Sequence, residues 1–259
     1  MTPAQQALVA AAGFVAGGIN GIAGGGSLVS FPALLAVGLP ALAANVTSTV
    51  GIWPGYLGGV VGFRSEVADQ GDRIRSLLPT TLGGAAVGAA LLLTTPAGAF
   101  AALAPFLVLL ACGLFAAQPL LTRRMAPPPA DDGTQPPAPP SRGRRQLVLA
   151  ASFASAVYGA YFGAGLGVML LAVLGTLVPD DLVRTSSLRG ALSLIINTVA
   201  AGLFLVAAPV AWAPAGLLAG GALIGGFAGA RLARRVPALV LRAVVITIGV
   251  LGALRLLLG

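Results

Sequence analysis

Apolar runs of about 20 residues recur from one end of this chain to the other, and no other feature limits its fold as strongly. They fall at about 7–37, 43–63, 74–94, 98–121, 146–176, 182–207, 212–230 and 238–258. A run of that length spans the hydrocarbon core of a bilayer when it is helical. Strands of a membrane barrel would alternate in polarity over about ten residues, and no segment here does so. Composition agrees: 57% of the 259 residues are hydrophobic and 8% are charged, against roughly a quarter charged in a soluble domain. Mean hydropathy is +0.96. The expected fold is an all-α polytopic membrane protein with about 8 hydrophobic segments, embedded in the lipid bilayer.

Two segments, 7–37 and 146–176, have an awkward length of 31 residues. As one helix each would reach about 46 Å, too long for a core of about 30 Å, yet two full crossings need about 20 residues apiece. Each carries a glycine cluster near its middle: Gly24, Gly25 and Gly26 in the first, Gly163 and Gly165 in the second. Small residues often serve helix packing in membranes, but adjacent glycines also weaken a helix at one point. A broken helix or re-entrant hairpin is expected at both places, facing protein or a water-filled cavity.

The two halves repeat. At an offset of 139 residues, Gly24 to Gly26 meet Gly163 to Gly165, Pro40 meets Pro179 and Gly51 meets Gly190. NVTSTVG at 45–51 corresponds to RTSSLRG at 184–190. Thr122–Arg145 is rich in proline and charge and reads as a linker. The organisation is therefore a first transmembrane repeat at 1–121, a cytoplasmic linker at 122–145 and a second repeat at 146–259. Each repeat comprises one Gly-broken hairpin and three transmembrane helices.

The net charge of +8 comes with fifteen arginines and no lysine. In a membrane protein the first account of such charge is orientation, because arginines mark cytoplasmic loops; no nucleic-acid partner is implied. Arg64, Arg73 and Arg75 form one cluster, Arg123, Arg124, Arg142, Arg144 and Arg145 a second, and Arg231, Arg234, Arg235 and Arg242 a third. All three lie on one side only if 146–176 enters and leaves on the same side, which favours a hairpin. Matched loops carry opposite charge character: 64–75 against VAAPVAW at 206–212, and 231–237 against TTPAG at 94–98. Two inverted repeats follow, with an extracytoplasmic N-terminus and a cytoplasmic linker. MTPAQQALVAAAGF has no positive stretch before its apolar run, so a cleaved signal peptide is not expected.

Several chemistries lose support. Histidine is absent, and the lone Cys112 reads as a packing residue. No metal centre and no cofactor are expected. Glu66, Asp69, Asp72, Asp131, Asp132, Asp180 and Asp181 all lie in predicted loops or linker, which speaks against an intramembrane proton relay or a cation site. Backbone carbonyls still leave sodium coupling open.

The candidate site is built from neutral donors. A break at the glycines exposes backbone N–H groups at the start of the next half-helix, where the dipole favours an anion. Asn45, Thr47 and Ser48 open one span, and Arg184, Thr185, Ser186 and Ser187 open its counterpart. One such residue suffices for ordinary capping; three or four at each site suggest donors converging on a small oxyanion. Ser27 follows the first glycine cluster. Asn20 beside it and Asn197 mid-span are either interhelical glue or site lining, since a buried amide needs partners. Arg184 is the candidate for drawing anions to the inner mouth. Arg189 reads as an anchor that snorkels to the surface.

GINGIAGGGSLVSFPALLAVGLPALAANVTSTVGIWPGYLGGVVGF resembles the opening of the TauE/SafE sulfite-exporter family, with Ala44-Asn45-Val46-Thr47-Ser48 as its AN-x-TS motif. The second half repeats the pattern more loosely, with Arg184 in place of the asparagine. The resemblance implies a multi-pass permease of the bacterial inner membrane, not an enzyme. It would carry small sulfur-containing anions such as sulfite or sulfonates, often outward. A passive anion channel is the alternative, and a membrane enzyme acting on lipid-linked phosphate is disfavoured by the acid-free spans. Oligomeric state stays open, a homodimer included.

Overall fold

The computed structural model describes residues 1–22, 24–123, 141–178, 180–232 and 238–258. Most of the linker, with Arg124, Asp131 and Asp132, lies outside the described residues, as do Pro179, Arg234 and Arg235. Every regular element among the described residues is a helix: α1 (Pro3–Ile22), α2 (Ser27–Ala36), α3 (Ala41–Gly62), α4 (Arg64–Ala68), α5 (Gly71–Thr94), α6 (Ala97–Arg123), α7 (Arg142–Tyr161), α8 (Leu166–Leu177), α9 (Leu182–Ala207), α10 (Trp212–Leu232) and α11 (Ala238–Leu258). Gly71–Thr94, Ala97–Leu120 and Leu182–Ala207 are long and apolar enough to cross a membrane by length and composition.

Local chemistry sets the ends of these helices. Asp181 caps α9, its Oδ1 accepting the Arg184 N–H at 2.8 Å, and Ser141 caps α7 through the Arg144 N–H at 3.4 Å. α7 therefore begins within the stretch read as linker. Pro40, with an extended ψ of 149°, starts α3. α2 stops at a Schellman turn: the Gly38 N–H bonds Leu35 O at 3.0 Å, the Leu39 N–H bonds Leu34 O at 3.1 Å, and Gly38 has φ +93°.

Side chains are sorted as a bilayer requires. Phe106, Leu110, Leu120, Val206, Ile224 and Leu251 point outward, a distribution that in water would expose a large apolar surface. The interior is made of small residues that let backbones touch. A Cβ at Gly13 of α1 would stand 2.5 Å from Leu218 O of α10, and one at Gly84 of α5 would stand 2.6 Å from Phe153 O of α7.

Both 31-residue segments are broken at their glycines and fold back on themselves. In the first, Leu8 to Val15 of α1 and Val29 to Ala36 of α2 line one apolar groove together with α11. A continuous helix would hold Leu8 and Ala36 about 42 Å apart. In the second, Arg144 in the first turn of α7 donates through Nε to Leu177 O, the last residue of α8, at 2.8 Å. Gly24, Gly163 and Gly165 turn the chain with φ of +70°, +77° and +75°.

The hairpins are exchanged between halves. α1 packs on α10 and α3, and α7 packs on α5 and α9. α2 meets α11 while α8 meets α6; α3 meets α9, and α6 meets α11. With α1, α2, α3, α5 and α6 matched to α7, α8, α9, α10 and α11, this set of principal contacts maps onto itself when the halves are swapped.

Candidate functional site

The two hairpin tips are buried and meet each other. The Gly167 N–H donates to Gly24 O at 3.1 Å, so the start of α8 is bonded to the first tip through backbone alone. The buried Ser27 hydroxyl lies beside Gly163 of the second tip. The Phe115 ring of α6 packs against Gly25, and Ala111 of the same helix lies against Gly165.

Around the first tip stands a cluster of buried polar groups. Asn20 Oδ1 accepts the Gly26 N–H at 2.8 Å. Its Nδ2 is buried and has no hydrogen-bond partner among the described residues. The Tyr56 hydroxyl of α3 lies near the side-chain amides of Asn197 and Asn20 and near the Arg189 charge. Asn197 Nδ2 donates to Ser193 O at 2.9 Å. Ser30 and Ser48 join α2 to α3 through a 2.6 Å contact between hydroxyls.

Arg189 differs from expectation. It does not snorkel: it is 3% exposed, and its Nη1 would lie 2.9 Å from a Cβ placed on Gly24. The physical reason is helical phase. Thr185, Arg189, Ser193 and Asn197 recur every four residues and so share one face of α9, and all four are buried. That stripe was the available signal for Arg189. On α3, Asn45, Ser48, Ile52 and Tyr56 likewise share the buried face, which is the signal for Tyr56.

The two hydroxyl-rich stretches are placed differently from the glycines. Neither caps its helix, because Pro40 and Asp181 occupy the N-cap positions. Asn45 Nδ2 donates to Tyr161 O at 3.0 Å and so holds the end of α7 just before the second tip. Tyr158 O–H donates to Ala164 O at 2.6 Å and closes that tip. Thr47 Oγ1 accepts the Ala211 N–H at 3.0 Å, which ties α3 to the start of α10. At the opposite end of the bundle, Gln70 Nε2 donates to Ser187 Oγ at 2.8 Å and reaches Arg184 O at 3.0 Å. Thr185 Oγ1 donates to Asp181 O at 2.9 Å, and Ser186 is half-buried. Thus Asn20, Gly24, Gly25, Gly26, Ser27, Gly163, Gly165 and Asn197 gather at the tips, with Ser48 alongside and Asn45 against the second. Thr47, Thr185 and Ser187 bind neighbouring backbone and side chains.

Arg184 belongs to an ion cluster at that end. Its Nε lies 3.3 Å from Asp180 Oδ2, which Arg73 also contacts. Burial pushes the Asp180 carboxyl up, but the Arg73 hydrogen bond, the Asp181 N–H and the charges of Arg73 and Arg184 together hold it below the usual aspartate range. The Arg73–Asp180, Gln70–Arg184 and Arg144–Leu177 contacts put the starts of α5, α7 and α9 at one end of the molecule.

The family described as "Sulfite exporter TauE/SafE" matches residues 9–256. The chain belongs to the TauE/SafE sulfite exporter family. A Haemophilus influenzae protein named "Probable membrane transporter protein" is 26% identical over 232 residues, covering 87% of this chain and 84% of its own. A Sinorhizobium protein named "Probable membrane transporter protein ORF9" is 28% identical over 254 residues, covering 95% and 90%. No solved structure matches. This TauE/SafE chain is accordingly a multi-pass membrane transporter rather than an enzyme.

Proposed function

We propose that this TauE/SafE chain is a secondary transporter of small sulfur-containing oxyanions, of the sulfite or organosulfonate type, in the bacterial inner membrane. It works by alternating access between two inverted repeats and moves substrate outward. The observation that carries the reading is the meeting of two glycine-broken tips, one from each half, beside buried amides, hydroxyls and a guanidinium. Such a set is rich in donors, and an oxyanion is an acceptor only. The exchange of packing partners between halves supports two repeats that rock against each other about this point. The arginine-bearing starts of α5, α7 and α9, gathered at one end, support the assignment of that end to the cytoplasm.

The test is a flux panel of sulfite, thiosulfate, sulfoacetate and sulfate in proteoliposomes. Saturable transport of one or more sulfur oxyanions, stimulated by unlabelled substrate on the opposite side, is expected. Flux without such trans-stimulation would make the protein a passive anion channel, and the absence of flux for all four would remove the substrate assignment.

A further inference from the structure

We propose that the Arg189 guanidinium, the Tyr56 hydroxyl and the Asn20 amide form an anion subsite at the first hairpin tip, taking the oxyanion head of a sulfite- or sulfonate-type compound. The inference rests on the oxyanion reading above and names the residues that would recognise the charge.

Three observations lead to it. Arg189 is the one charged side chain among the buried residues described. It approaches the tip where Gly24 has no side chain to exclude it. Asn20 is held with its oxygen on the Gly26 N–H, so its Nδ2 is directed elsewhere and is left without an acceptor among the described residues. A buried donor in that state is uncommon in a folded protein and calls for a ligand or a water. Tyr56, buried beside both, adds a hydroxyl from a third helix. The donors thus come from α1, α3 and α9, which include helices of both halves.

The charge decides between a water and an anion as occupant. A water accepts a hydrogen bond from an amide or a guanidinium alike but carries no charge, whereas an oxyanion accepts from both and brings the charge complementary to the buried guanidinium. Position gives the subsite its use: Gly24, against which Arg189 lies, is bonded to Gly167 of the other half. An anion held there sits at the junction that must rearrange for access to change sides.

The experiment is equilibrium binding of radiolabelled sulfite to the purified full chain, with competition by methanesulfonate and by the neutral methanesulfonamide. Wild type should bind sulfite and prefer methanesulfonate over the amide by ten-fold or more. Arg189→Gln should weaken sulfite binding about ten-fold or more and erase that preference, with partial recovery in Arg189→Lys. Tyr56→Phe keeps the ring in the core and should weaken binding about three- to ten-fold; it decides the matter if Arg189→Gln does not fold. Folded Arg189→Gln or Tyr56→Phe protein that binds like wild type overturns the subsite and leaves the transporter reading standing. Wild type that binds neither sulfite nor methanesulfonate overturns both.

Discussion

Alanine at Gly24 and alanine at Gly38 impose the same backbone cost in different surroundings, and the pair isolates what the meeting of the tips contributes. Both glycines have positive φ, +70° and +93°. An alanine in that region costs about 1–2 kcal/mol, partly returned by the stiffer unfolded chain, about 0.4–1 kcal/mol. These terms are similar at both sites and cancel in the comparison. At Gly38 nothing lies within 4 Å of the added carbon. At Gly24 it would stand 2.6 Å from Gly167 Cα and 2.9 Å from Arg189 Nη1. Ordinary contact begins near 3.4 Å, so the tips must part by about 0.8 Å (3.4 − 2.6). Overpacking of this kind costs about 1–3 kcal/mol. At roughly 2–4 °C per kcal/mol for a chain of this size, Gly24→Ala should unfold about 2–12 °C below Gly38→Ala. The measurement is the apparent Tm in one detergent at one scan rate, since unfolding of such proteins is often irreversible. Gly24→Ala should also lose most sulfite flux in proteoliposomes, while Gly38→Ala keeps it. Equal Tm and equal flux in the two variants would refute the claim that Gly24 is needed for close approach of the tips.

In a Cys112→Ala background, cysteines placed near residue 4 and within the linker should label from opposite sides of the membrane; labelling from one side removes the inverted-repeat proposal. Asn45→Ala leaves the Tyr161 carbonyl without its amide donor, a loss of about 1–3 kcal/mol, and should lower both Tm and flux while the protein still reaches the membrane. Asp180 is held below the usual aspartate value of 3.8, so its ion pairs stabilise the fold above that value and are lost as pH falls through the lower folded value. With Arg73 and Arg184 both more than a third exposed, Asp180→Asn should cost about 1 kcal/mol or less at pH 7, and the difference from wild type should vanish in strong acid.

The helices were legible because a bilayer leaves the backbone few choices. The six shorter apolar segments became helices within a few residues of their expected limits, and both long segments broke where the glycines predicted. α4 was not anticipated, since Arg64–Ala68 lies in a polar loop with no apolar periodicity. The polar stretches were harder to read. Linear order showed Asn45, Thr47 and Ser48 as a patch, but a helix turns 100° per residue and sends them to different neighbours: Tyr161 O, the Ala211 N–H and Ser30. Arg189 was misread for the same reason. Depth along the span suggests an anchor, whereas direction around it, set by the four-residue spacing to Ser193 and Asn197, turns Arg189 inward. The contact between tips was beyond sequence, because Gly24 and Gly167 meet through backbone atoms that every residue has.

The packing of α1 on α10 also bears on how the chain is made. About 190 residues separate the end of α1 from the start of α10. At roughly 5–20 residues per second, a ribosome needs about 10–40 s to deliver the second after the first. Throughout that interval the glycine face of α1 lacks its seat on α10, and the first tip lacks Gly167 until the chain has grown that far. The newborn first hairpin must wait in lipid or beside the insertion machinery until nearly the whole polypeptide has been synthesised. A chain cut at its linker would leave each long hairpin arm packed on its own half alone, and co-expressing the two pieces would be the way to supply the missing surface.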